Sequence, residues 1–300
     1  MADVAALPAL SLFSAILLDP FSEFAFMRRA LAGCLALSLG GAPVGVILML
    51  RRMSLTGDAM AHAILPGAAI GYLVAGLSLP AMTIGGVAAG LLVTLTAAFV
   101  ARSSRQSEDS SLAAFYLLSL SVGVVIVSTS GSSVDLLHVL FGTVLALDDP
   151  ALYLLGAIAS ISLLALAILY RPLVFECVNP GLLPRHGRWS VVAHQGFMML
   201  LVLNLVAGFH ALGTLMSVGM MILPAAAARF WVTEFNRMIA LSVGIALAGS
   251  VSGLLLSYHL EWPTGPTIVL TLGACYCASL MAGAQGIITS SIRPRRHYQS

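Results

Sequence analysis

The sequence has no lysine and few charged residues of either sign. Only 9% of its 300 residues are charged, whereas about 25% is usual in a soluble domain. The 14 basic residues are all arginine, and 12 acids leave a net charge of +2. This composition argues against a single water-soluble domain and against a nucleic-acid binder with a broad basic surface. Without lysine, the chain cannot form a Walker A phosphate-binding loop.

Several enzyme and metal-site motifs are also missing. The four cysteines form no CxxC pair, so neither a disulfide scaffold nor a zinc finger is predicted. Cys275 and Cys277 lie in an apolar stretch and are interpreted as packing residues. HExxH is absent, and Ser130 with distant histidines makes no persuasive protease site. An intramembrane hydrolase using His and Asp side chains is therefore only a remote alternative.

Long uncharged runs are abundant, since 59% of the residues are hydrophobic. A helix needs about 20 apolar residues to cross a hydrocarbon layer about 30 Å thick. Nine such runs predict an all-α polytopic membrane protein with about eight or nine transmembrane helices in a compact bundle. They are residues 30–50, two runs within 59–101 divided at Pro80, 110–134, 151–170, two runs within 191–228 divided near Gly208–Gly213, 238–259 and 267–289.

The remaining segments are short. Residues 1–29 are predicted to be an N-terminal segment at the membrane interface or partly inserted, without a signal peptide's basic start and cleavage pattern. The alternative is one additional membrane crossing within this segment. Residues 30–289 are predicted to form the transmembrane domain, and residues 290–300 a basic cytoplasmic tail. Leu136–Leu147 is too short to span and is interpreted as a half-helix or an external helix.

Arginine positions predict the orientation, because positively charged loops stay in the cytoplasm. With nine crossings and the tail inside, 12 of the 14 arginines fall on the cytoplasmic face. Only Arg28 and Arg29 remain outside. Glycines four residues apart favour close helix packing in this bundle. These pairs are Gly41/Gly45, Gly67/Gly71, Gly86/Gly90 and Gly249/Gly253.

Asp58 and His62 are the clearest candidates for function. They lie four residues apart, so they share one face of a helix, and a carboxylate with an imidazole suits a divalent transition metal. Two ligands bind weakly, as a transport site requires. The alternative is a local ion pair near a helix start. The pair lies near mid-membrane if the helix begins just after Arg52, and near the cytoplasmic face if it begins later.

Other histidines give weaker signals. Asp135 and His138 share a predicted helix face just outside the membrane, where they form either a metal-capture site or a solvated ion pair. His194, His210 and His259 lie near the ends of apolar runs, where a histidine needs no special role.

Four blocks of sequence resemble the zinc/manganese/iron ABC transporter permeases, the ABC-3 membrane protein family. The longest is GVILMLRRMSLTGDAMAHAILPG, residues 45–67, which resembles the family signature. The others are DLLHVLFG at 135–142, LGTL at 212–215 leading to LPAA at 223–226, and SYHLEWPTGP at 257–266. They keep the family's order over roughly residues 25–288.

The resemblance implies an importer subunit rather than an enzyme. It implies a second permease copy, identical or paralogous, a cytoplasmic ATPase subunit and an extracytoplasmic metal-binding protein, in a bacterial inner membrane. Asp58 and His62 would belong to the metal path, with no permanently bound cofactor. The loop Arg171 to Arg188 would dock on the ATPase.

The identity of the cargo stays open at this point. Zinc, manganese and iron all suit an Asp and a His, and imidazole preference gives a weak lean to zinc over manganese. The alternative is a permease for a metal chelate such as a siderophore or cobalamin, which the Asp58/His62 pair disfavours.

Overall fold

The computed structural model describes residues 17–76, 78–104, 106–129, 144, 147–178 and 188–287. Within these ranges the chain forms helices and no strand. In chain order they are α1 (Asp19–Glu23), α2 (Ala25–Leu50), α3 (Ser54–Ala63), α4 (Leu65–Ala75), α5 (Leu79–Ser103), α6 (Glu108–Thr129), α7 (Asp149–Val178), α8 (Arg188–Leu212), α9 (Thr214–Arg229), α10 (Phe235–Leu260) and α11 (Thr264–Ala282).

The described residues contain 8 helical segments long and apolar enough to cross a membrane, with α3 and α4 counted as one segment. The helix α9, with 16 residues, adds a shorter apolar element of about 24 Å. Gly213 makes the tight reversal before α9 with φ of +86°, a conformation that favours glycine. The predicted all-helical bundle of about eight to nine membrane helices is confirmed.

Two helices extend beyond the uncharged runs that predict them. Helix α2 begins at Ala25, so Arg28 and Arg29 lie in its first turns. Helix α7 continues past Arg171 and Pro172 to Val178, although the sequence predicts a loop from residue 171. Leu173 is buried in this extension, with 1% exposure, and its apolar packing explains why the helix does not end at Tyr170.

Contacts between helix ends define two opposite faces of the bundle. On one face, Arg29 pairs with Asp149 at 3.0 Å, which joins the starts of α2 and α7. On the other face, Arg51 at the end of α2 meets His194 near the start of α8, and the Tyr170 hydroxyl donates to the Asn236 side chain. The second face is the arginine-rich face, which the sequence predicts to be cytoplasmic.

Helix α2 is the centre of the bundle. Of its most apolar stretch, 83% is buried, against 17% for α6, and it packs on α7, α8, α9 and α10. Gly45 lies directly against the Met221 carbonyl of α9, and Gly67 against the Gly85 carbonyl of α5. These two members of the predicted glycine pairs therefore lie at close contacts between helices, as small residues do in membrane bundles.

Some predictions fall outside the described residues. They concern most of the N-terminal stretch, most of the external segment 136–147 and the tail 290–300. The division into an N-terminal segment, a transmembrane domain and a tail therefore stays a prediction.

Candidate functional site

The candidate pair lies on a half-helix, whereas the uncharged run in the sequence predicts one continuous helix. Helix α3 ends at Ala63 and α4 begins at Leu65, because Pro66 has no backbone N–H to continue the hydrogen-bond ladder. At the break, the Ser119 hydroxyl of α6 donates to the Ala63 carbonyl at 2.9 Å. This bond satisfies a carbonyl at the break and ties α3 to α6. The pair thus sits on a separate ten-residue element.

Asp58 and His62 lie together on the outer surface of the single chain. The Asp58 Oδ1 and His62 Nε2 atoms are 3.9 Å apart, and the two side chains are 64% and 33% exposed respectively. Helix α3 starts at Ser54, so the two residues lie about 6 and 12 Å along it. They are therefore closer to the arginine-rich face than a helix starting directly after Arg52 would place them.

The backbone beneath the pair is closely packed. A Cβ placed on Gly57 would lie 2.9 Å from the Leu48 side chain of α2 and 3.1 Å from the Met221 side chain of α9. Because Gly57 is buried and Asp58 is exposed, the inner side of α3 rests on α2 and α9. The carboxylate consequently lies on the opposite, accessible side.

This arrangement can contribute two donors to a metal ion. Ligand bonds of about 2.0–2.2 Å place neighbouring donors about 3–3.5 Å apart, so a small side-chain rotation closes the 3.9 Å gap. The described part of the chain contains no group of three or more His, Cys, Asp or Glu residues placed to hold a metal. One described protomer therefore offers a partial ligand set, as a weak transport site requires.

None of the weaker candidates that the structure describes joins this pair in a group of three metal-binding side chains. Asp135 and His138 lie outside the described residues, so metal capture there stays a prediction. His259 packs edge-on against Tyr258, with ring centroids 5.3 Å apart. A pocket of about 250 Å³ lies on the face of the bundle opposite the arginine-rich face, between the start of α2 and the end of α10. It is lined by Phe26, Met27, Leu254, Ser257, Tyr258, Glu261 and Trp262.

A cluster of side chains surrounds Arg51, and it is not predicted from the sequence. The Arg51 guanidinium donates to His194 Nδ1 at 3.2 Å and lies 5.0 Å from the centre of the Phe197 ring. It also lies within hydrogen-bonding reach of the Cys177 thiol near the end of α7. The only sequence signal is an arginine at the end of an apolar helix, and His194, Phe197 and Cys177 are all distant from it in sequence.

The reactivity of the Cys177 thiol tests its contact with Arg51. It lies beyond the apolar span that ends at Phe175. Burial raises the pKa of this thiol above its ordinary value, and the positive charge of Arg51 partly offsets that rise. Since the thiolate is the reactive form, maleimide labelling of Cys177 should be slow at neutral pH and accelerate as the pH rises.

In an Arg51→Gln variant the offset is lost, so the pKa rises further and labelling at a fixed pH becomes slower. Labelling measured in opened membranes, with a Cys177→Ser protein as background, gives the comparison. Faster labelling in Arg51→Gln would contradict the contact between the guanidinium and the thiol.

The bundle of long apolar helices, one of them broken and carrying a charged pair, identifies this chain as a multi-pass membrane protein. The sequence profile of the ABC 3 transport family matches residues 23–283. The chain belongs to this family, which confirms the resemblance seen in its motifs.

Relatives and a solved structure agree with this assignment. The manganese import system permease protein ScaB of Streptococcus parasanguinis is 31% identical over 87% of this chain and 92% of its own length. The probable iron transport system membrane protein of Haemophilus influenzae is 30% identical, over 88% of this chain and 96% of its own. The structure of PsaBC from Streptococcus pneumoniae in complex with Fab matches with a TM-score of 0.80 and 29% identity, covering 93% and 99% of the two chains.

Proposed function

We propose that this chain is the permease subunit of a bacterial ABC importer for a divalent transition-metal ion. In this proposal an extracytoplasmic binding protein delivers the ion, and alternating access moves it across the inner membrane. ATP hydrolysis belongs to a separate cytoplasmic subunit, because a chain without lysine has no Walker A loop. The family match and the manganese and iron transport named for the relatives support the proposal.

The observation that carries the proposed path is the exposure of Asp58. This carboxylate is 64% exposed on the surface of one chain, within a segment apolar enough to span a membrane. A carboxylate facing lipid is costly, and charged groups inside membranes face a cavity or a partner. We therefore place a second permease copy over this surface, so that two Asp58/His62 pairs contribute up to four donors around a shared path.

Manganese is the first cargo to test. Asp and His donors suit manganese, iron and zinc, and the names of the relatives above include manganese and iron. The lean to zinc draws no support from those names, so zinc stays a prediction. Zinc binds most nitrogen and oxygen sites more tightly than manganese does, so it should leave a site of this kind more slowly.

The test is metal uptake by proteoliposomes that contain the permease, its ATPase and its binding protein. We expect ATP-dependent uptake of radioactive Mn²⁺, which a tenfold excess of Zn²⁺ inhibits more strongly than the same excess of Mg²⁺. A complex whose ATPase subunit is inactivated by substitution of its Walker A lysine controls for leakage of the ion. ATP-dependent uptake of a ferric siderophore or cobalamin, with none of manganese, iron or zinc, would contradict the proposal and favour a chelate permease.

A further inference from the structure

The arginine-rich end of α2 joins three elements through one side chain. Arg51 donates to His194 Nδ1 of α8 at 3.2 Å and lies over the Phe197 ring of the same helix. Cys177 of α7 packs against the apolar cluster that contains Phe197, and its thiol interacts with the Arg51 guanidinium. A guanidinium has five N–H donors in a rigid plane and also stacks on aromatic faces. It can therefore hold α7 and α8 at the same time in one fixed plane, which the compact ammonium of a lysine does not provide.

The connection from Arg51 to the candidate metal pair is short and well defined. Helix α2 ends in a Schellman motif, in which Arg52 adopts φ of +60°. Its N–H bonds to the Met49 carbonyl at 3.0 Å, and the Met53 N–H bonds to the Leu48 carbonyl at 2.9 Å. Paired bonds of this type fix the direction in which the chain leaves a helix. Helix α3, with Asp58 and His62, begins directly after Met53, so a displacement of Arg51 is passed to α3.

The two helices that Arg51 holds lead to the proposed ATPase contact. Helix α7 ends at Val178 and α8 begins at Arg188, and the connection between them lies within the loop that the family resemblance assigns to ATPase docking. A force applied to that loop reaches α7 and α8 first. Within the described residues, Arg51 provides a charged contact from these two helices to the turn before α3.

We infer that Arg51 is a positioning residue that couples movement of the α7–α8 pair, driven by the ATPase, to the Asp58/His62 half-helix. This inference rests on the proposed function. A coupling role for Arg51 can be distinguished from a purely structural role. An arginine that only packs affects folding and assembly, but it does not change the number of ions moved per ATP hydrolysed. That ratio is therefore the quantity to measure.

The experiment compares Arg51→Gln with Arg52→Gln in the full complex of permease, ATPase and binding protein in proteoliposomes. The two variants lose the same charge at adjacent positions, but Arg52 is exposed and contributes to the turn through its backbone. Three quantities are measured: the ATPase bound per permease, the rate of ATP hydrolysis, and the Mn²⁺ taken up per ATP. In Arg51→Gln we expect normal assembly and continued hydrolysis, with uptake per ATP reduced about tenfold, the scale set by losing a charged hydrogen bond.

Arg52→Gln should match the wild type, and Arg51→Lys should recover part of the ratio, because an ammonium can still donate to His194. An unchanged ratio in Arg51→Gln would overturn the inference, and so would loss of the ATPase from the complex. If Arg51→Gln does not insert, His194→Gln and Cys177→Ala remove its partners instead. A normal ratio in both of these variants would also overturn it. A wild-type complex that hydrolyses ATP without moving metal would refute the proposed function itself.

Discussion

Replacing Asp58 by Asn, or His62 by Gln, should reduce metal uptake by at least about tenfold, because loss of a ligand costs no less than the 10–100-fold loss typical of outer-shell changes. Each substitution roughly keeps the size of the side chain and replaces a carboxylate or an imidazole by a neutral amide, whose oxygen is a weaker ligand for a transition metal. If two protomers contribute, two of the four donors in every permease dimer are weakened at once. The measurement is initial uptake of radioactive Mn²⁺ into proteoliposomes at matched permease content.

These variants should fold and assemble normally. Asp58 is exposed, and its partner His62 lies 3.9 Å away and is one-third exposed, so neither substitution leaves a buried polar group unpaired. Asp109→Asn is the matched control, since Asp109 is an exposed acid at the arginine-rich end of α6. It should leave uptake unchanged. Wild-type uptake in correctly assembled Asp58→Asn and His62→Gln complexes would remove the pair from the metal path and favour the local ion pair.

Replacing Gly45 by Ala should destabilise the bundle by about 1–3 kcal/mol, the usual cost of overpacking, and should lower uptake as well. The added methyl group would overlap the Met221 carbonyl of α9. A backbone group cannot rotate away as a flexible side chain can, so α9 must move from α2. The Met221 side chain also packs beneath Gly57, and this movement would therefore disturb the support of Asp58.

Gly41→Ala is the matched control for this prediction, because it adds the same methyl group one turn earlier on the same helix. A Cβ there meets only the Leu37 side chain, at 3.7 Å, which is an ordinary contact distance. Thermal unfolding in detergent should therefore separate the two variants. Equal midpoints for Gly41→Ala and Gly45→Ala would show that the close approach of α2 to α9 does not limit stability.

Much of the fold could be predicted from the sequence, because a membrane imposes a length on every apolar helix. The runs of uncharged residues locate the spans, and Gly213 and Pro80 mark two of the divisions between them. The helix ends were less predictable. Helix α7 continues to Val178 because Leu173 finds an apolar site in the folded bundle, which depends on residues distant in the chain.

Some features of the candidate site could likewise be predicted from the sequence, and others could not. The four-residue spacing of Asp58 and His62 is local information, so their common helix face was predictable. The break at Ile64 had a local signal in Pro66, but its support by Ser119 depends on tertiary packing. The contacts of Arg51 with His194 and Cys177 join residues more than 120 positions apart, which no pattern in one sequence reveals.

The most direct test of the metal path is pulsed electron paramagnetic resonance of Mn²⁺ bound to the assembled permease complex. Electron spin echo envelope modulation detects an imidazole nitrogen bonded to the ion. We expect nitrogen modulation in the wild type and in Asp109→Asn, and its loss in His62→Gln. Undiminished modulation in His62→Gln, or its absence from the wild type under conditions of active uptake, would contradict a path through Asp58 and His62.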